Sequence, residues 1–206
     1  SSASAQARLG LSALARDALG IKYFRLSAAE RQATPFESVL DRLFASLPVE
    51  PEQECPHERF RFAPHPDTCT CKRMTGIVSR LIHHPRILAQ THERLPIYYG
   101  RANTSLLVHG SRCVEHERLV NADGQNTYVT EDNIQRYLDL PIALLHGDQN
   151  ALFDVESAHR TMQQLERLHS ALCRQGLMRT IIAKDFGHFD CTIGHGAPMR
   201  EQILDP

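Results

Sequence analysis

The segment of this sequence best suited to chemistry is Lys184-Asp185-Phe186-Gly187-His188-Phe189-Asp190-Cys191, which follows the apolar run from Met178 to Ala183. An imidazole titrates near neutrality. His188 can therefore take a proton from a nucleophile and return it to a leaving group. Gly187 just before it permits a tight backbone path. The sequence has 12 histidines, and for any one of them a surface or capping role is the alternative. A second group of reactive types is Cys55-x-His57, His65 and Cys69-x-Cys71. Thiolates and imidazoles suit zinc, but the spacing is irregular and lacks the Cys-x-x-Cys knuckle. The plain alternative is a loop whose cysteines pack or pair, and no metal is expected. His83-His84 is read as part of a helix, in a structural role.

The elements that would position His188 are legible in the last third of the chain. Leu140-Pro141-Ile142-Ala143-Leu144-Leu145-His146, closed by Gly147, fits a buried strand. Asp154 can cap the following helix, whose inward stripe is Ala158, Met162, Leu165, Leu168 and Leu172, with Gly176 as its end. Met178 to Ala183 is a second buried strand. Strand, helix, strand at this spacing is a βαβ unit and predicts a parallel sheet. The carboxyl ends of such strands are where ligands and catalytic groups sit.

Upstream, the spacing predicts helices. Leu9, Leu11, Leu14, Ala18 and Leu19 give one stripe, and Phe36, Val39, Leu40, Leu43, Phe44 and Leu47 another. Ser27 with Glu30, and Thr34 with Glu37 beside Pro35, read as helix starts. Prolines 48, 51, 56, 64 and 66 predict an irregular loop from Pro48 to Thr70. Helical pattern resumes from Lys72 to Tyr99, broken at Pro85. Asn121-Ala122-Asp123-Gly124 reads as the turn of a hairpin, and Thr130 as a cap. The expected division is 1–139, a mainly helical cap or lid, and 140–206, a βαβ core portion.

Composition narrows the partners. The 206 residues are 42% hydrophobic and 23% charged, an ordinary globular balance. A net charge of -1 gives no electrostatic pull toward nucleic acid or anionic membrane. No apolar run reaches the roughly 20 residues of a membrane helix. Six cysteines do not make a disulfide scaffold in a chain of this length. The N-terminus lacks the pattern of a secretory signal, and a cytoplasmic location is the expectation. The chain starts at Ser1 rather than at a methionine, which reads as a processed product or a fragment.

Leu-Pro-Ile-x-x-x-His-Gly at 140–147, Asn150, Phe153, Glu156-Ser157, Thr161, then Gly187-His188-x-Asp190-Cys191 and Gly194 resembles the end of an α/β-hydrolase. The chain is similar to the lipase-like hydrolases sometimes fused to glucose-methanol-choline oxidoreductases of the cholesterol oxidase type. Cys69-x-Cys71-Lys72-Arg73, Gly76, His84, Leu88, Thr91-His92, Leu95 and Tyr99-Gly100 resemble the cap of those proteins. The resemblance implies an α/β fold, the C-terminal half of a hydrolase sheet, and His188 as the triad histidine. Asn150 falls where such hydrolases carry the triad acid. An amide can orient an imidazole but cannot stabilise its cation as a carboxylate does. Asp148, Asp154 and Glu156 are close enough in sequence to substitute, with Asp148 nearest the strand tip. A helix cap and a first-turn charge are the alternatives for Asp154 and Glu156, and Asp190 reads as the cap of a turn.

No Gly-x-Ser-x-Gly elbow occurs in the chain. The resemblance places the elbow before the cap, in a missing N-terminal half, so this chain alone is expected to be inactive. Three readings stay open: the histidine-bearing part of an ester hydrolase acting on lipid-like or other apolar esters, the tail of a flavin oxidoreductase fusion, and a non-catalytic binding remnant. FAD is expected only with a fused oxidoreductase domain, of whose Gly-x-Gly-x-x-Gly fingerprint the chain has none.

Overall fold

The computed structural model describes Asp17 and residues 20–27, 35–46 and 70–204. The stripe expected at Leu9–Leu19, the caps involving Glu30 and Thr34, and the group Cys55, His57, His65 and Cys69 lie outside these residues. The described elements are β1 (Tyr23–Arg25), α1 (Pro35–Ser46), α2 (Thr70–Ile77), a 3-10 turn (His84–Arg86), α3 (Ala89–Glu93), α4 (Leu95–Tyr98), β2 (Arg101–Asn103), α5 (Thr104–Glu115), α6 (Glu131–Tyr137), β3 (Ile142–Gly147), α7 (Val155–Leu168), α8 (Ser170–Arg174), β4 (Met178–Ala183), α9 (Asp190–Ile193) and α10 (Gly196–Leu204).

The class is mixed α/β, with two small sheets among the described residues. β3 and β4 are parallel, in a register running from Ile142 opposite Met178 to Gly147 opposite Ala183. α7 joins them as the crossover. Its Asp154 cap accepts the Glu156 N–H, and Leu165 packs with Met178 and Ile134 in a shared core. The crossover is not one helix. His169 leaves helical geometry with its Nε2 3.0 Å from the Ile134 carbonyl, and the chain restarts as α8. A second core, of Ala183, Phe186, Cys191 and Met199, lies where β4 meets α9 and α10.

Upstream, β1 and β2 form a three-residue antiparallel pair. Buried Arg73 of α2 ties this part together. It donates to the Arg25 carbonyl at 2.5 Å and forms a close ion pair with Asp41 of α1. Such a pair holds its elements in one arrangement, because separating it would leave a charge buried. A third core, Cys71, Met74, Leu81, Ile82, Ile87 and Leu95, sits under α2 to α4.

Two expectations are corrected here. The turn at Asn121–Gly124 exists, with Gly124 in the left-handed region at φ 81°, but no strands flank it. Asn121 Oδ1 accepts the Asp123 and Gln125 N–H groups, and Asn126 and Asn133 bond the backbone at 127–129. These local side-chain bonds replace a hairpin ladder. The stripe on α1 is also not a buried one throughout, since Val39 is exposed while Asp41 is buried. No helix among the described residues is long and apolar enough to cross a membrane.

Leu95 and Ile97 share α4, yet Leu95 is 0% exposed and Ile97 80%. Leu95→Ala should therefore cost roughly 2–5 kcal/mol, and Ile97→Ser should stay within about 0.5 kcal/mol of the parent. Urea melts of the two variants check this. Equal losses would show that the core is misplaced.

Candidate functional site

His188 stands on the loop beyond the carboxyl end of β4. The turn that carries it is fixed by backbone and carboxylate bonds. Asp190, 1% exposed, accepts the Gly187 N–H at 2.6 Å and the His83 N–H at 3.0 Å. The Phe189 N–H reaches the Leu81 carbonyl at 2.8 Å. Asp185, in the left-handed region at φ 63°, pairs with Arg86 at 2.7 Å. The loop following β3 packs alongside. A Cβ on Gly147 would overlap the Phe186 and Gly187 carbonyl oxygens, so the close approach of the two loops requires glycine there.

The loop after β3 supplies the partner of the imidazole. Asn150 Nδ2 lies 3.2 Å from His188 Nδ1. The amide is held one way round, because Asn150 Oδ1 accepts the Leu152 N–H at 2.9 Å and the Phe153 N–H at 3.1 Å. Nδ2 can only donate, so Nδ1 accepts, and a neutral His188 carries its proton on Nε2. A general base acting through Nε2 needs the opposite tautomer, and an amide in the acid's place costs serine proteases about four orders of magnitude in turnover.

The other expected residues are placed elsewhere. Asp148 Oδ1 accepts the Asp185 N–H at 2.7 Å. Asp154 caps α7. Glu156 sits on the exposed side of α7 against Arg160 at 3.4 Å. Among the described residues, Asn150 is the side chain hydrogen-bonded to His188. The structure therefore joins His188 with Asn150 and leaves Asp148 and Glu156 apart from the imidazole.

The sequence reading missed His146. It is buried at the end of β3, and its Nε2 has no hydrogen-bond partner among the described residues. Phe153 and Phe189 flank the His188 ring at 5.5 and 5.0 Å between centroids. Burial among these groups holds the His188 pKa below its ordinary 6.5, and the nearby His146 adds to the effect, against Asp190. Burial lowers the His146 pKa too. It pushes the neighbouring Cys191 thiol up to about 12, which makes that cysteine a poor nucleophile. A cavity of about 300 Å³ opens behind the loop, among Asp190, Cys191, Gly194, Met199 and Ile203. Neither His188 nor Asn150 lines it. No family model, curated protein or solved structure matches the chain.

Both histidines bind a proton more weakly folded than unfolded. The unfolded chain therefore holds more protons in the window just below pH 6.5, and stability should fall as pH drops through it. His188→Gln with His146→Gln should flatten that slope in thermal melts. Nitrogen NMR of His188 should report the Nε2–H tautomer in the parent and Nδ1–H in Asn150→Asp. An Nδ1–H parent would show the amide assignment to be reversed.

Proposed function

We propose that this chain is the histidine-bearing part of a serine-type carboxylic ester hydrolase acting on apolar esters, with the nucleophile supplied by sequence outside it. The observation that carries the reading is the pairing of His188 and Asn150 across the tips of two parallel strands. A side chain from the loop after one strand orients an imidazole on the loop after the next, which is the arrangement a triad uses to aim its base. The apolar preference rests on Phe153, 49% exposed and edge-on to the His188 ring. Leu140 and Leu177, at the start of the sheet, are 47% and 40% exposed. Parallel sheets are ordinarily covered on both faces, so these surfaces suit further elements of a larger core.

One observation favours a second reading, a non-catalytic module. The locked Asn150 amide presets the wrong tautomer and gives no charge to offset an imidazolium.

Hydrolysis of p-nitrophenyl esters separates the two. The chain as it stands should show no enzymatic turnover. A longer form carrying the preceding coding sequence should show turnover that falls by orders of magnitude in His188→Ala and rises in Asn150→Asp. A longer form inert both as it is and with Asn150→Asp would establish the non-catalytic reading. Robust turnover by the short chain that survives His188→Ala would sink the hydrolase assignment.

A further inference from the structure

We propose that Cys71, His84 and His92 are three ligands of a zinc ion that braces the loop carrying His188. The three come from separate elements: the second residue of α2, the first of the 3-10 turn, and α3. Their ligand atoms, the Cys71 Sγ and one ring nitrogen from each histidine, lie within 4.8 Å of one another. All three side chains are buried, at 4%, 9% and 6% exposure. The imidazoles of His84 and His92 stand 5.2 Å apart between centroids at 46°, tilted rather than stacked. Zinc bonds of roughly 2.0–2.3 Å place tetrahedral donors about 3.3–3.6 Å apart, so the three atoms need to close by only about 1 Å on binding.

The donor set selects the metal. One thiolate with two imidazoles suits zinc, whereas calcium and magnesium take oxygen donors. The surroundings, Met74, Leu81, Ile82, Ile87 and Leu95, are apolar. Such a shell excludes water and strengthens the attraction between a thiolate and a dication. Binding displaces the Cys71 proton, so affinity should fall as pH drops. Among the described residues no carboxylate joins the cluster, and a site this buried fits a structural ion, whose fourth ligand the three named residues leave open.

The position gives the ion its role. The stretch between Cys71 and His92 contains the groups that hold the His188 loop: the Leu81 carbonyl bound by Phe189, the His83 N–H on Asp190, the Arg86 side chain on Asp185, and the Arg86 carbonyl bound by His195 at 2.7 Å. A metal joining positions 71, 84 and 92 would fix this stretch at its middle and both ends. The site does not depend on the hydrolase reading, since it can hold metal whether or not esters are cleaved.

Metal analysis of the purified chain tests it directly. After refolding with zinc, one zinc per chain is expected, with none in a variant carrying Cys71→Ser, His84→Ala and His92→Ala. His83→Ala, which keeps the backbone N–H that bonds Asp190, should keep its zinc. If the triple variant does not fold, cobalt decides. A chain with Cys55→Ser and Cys69→Ser should still show cobalt–thiolate charge transfer and tetrahedral cobalt bands, both displaced by zinc. A chain that binds no metal, a triple variant that keeps one zinc, or loss of the thiolate band in the Cys55/Cys69 background would each overturn the proposal. Chelation should also lower the melting temperature of the parent, and a melt indifferent to chelator would overturn the bracing role.

Discussion

The arrangement around His188 depends on one buried carboxylate. Asp190 accepts a backbone N–H from Gly187, three residues earlier, and another from His83, more than a hundred residues earlier. The first bond shapes the turn that presents the imidazole. The second fastens that turn to the helical part of the chain. Burial raises the Asp190 pKa, and the bonds from Gly187 and His83 pull it the other way. Hydrogen bonds of this kind make a buried carboxylate tolerable and costly to remove. Gly187 belongs to the same device, since a Cβ there would sit 2.7 Å from Asp190 Oδ1 and 3.0 Å from the His83 nitrogen. Gly-His-x-Asp is therefore a single mechanical unit in which the second and fourth residues have different work.

What the sequence made legible was local. The two apolar runs became β3 and β4, and Asp154 and Thr130 cap α7 and α6. Each of these depends on periodicity or on a side chain bonding its own neighbours. The features that escaped depend on distant partners or on competition. His169 interrupts the crossover because the Ile134 carbonyl is within its reach, a fact no window around His169 contains. The hairpin failed because asparagines at 121, 126 and 133 offered the backbone nearer partners than a second strand. His84 and His92 lie eight residues apart in sequence and read as helix residues, yet folding brings both to Cys71. His146 was read only as the end of a strand, and its burial beside His188 follows from the parallel register. The partner of His188 was the hardest to read. Asp148 had the better chemistry, but its carboxylate is used by the Asp185 N–H, and the weaker candidate Asn150 took the place at the imidazole.

The structure separates the placing of His188 from the setting of its protons. Placement comes from Asp190, from the glycines at 147 and 187, and from the Arg86–Asp185 pair. The residues between Cys71 and His92 reinforce it from behind. None of these groups hydrogen-bonds the imidazole. Protonation is governed mainly by others: burial against Phe153 and Phe189, the neighbouring His146, and the Asn150 amide, with Asp190 as the smaller opposing influence. Because Asn150 is not among the groups that hold the loop, the side chain at position 150 can set the tautomer while the backbone around 188 keeps its course. A carboxylate in place of the amide would meet a ring already held, and would supply the charge that an imidazolium needs. It would also have to keep one oxygen on the Leu152 and Phe153 N–H groups, as Asn150 Oδ1 does, and a carboxylate has the lone pairs for both tasks. On the proposed reading, whether this histidine is preset as a base or only binds rests on the single side-chain atom facing Nδ1.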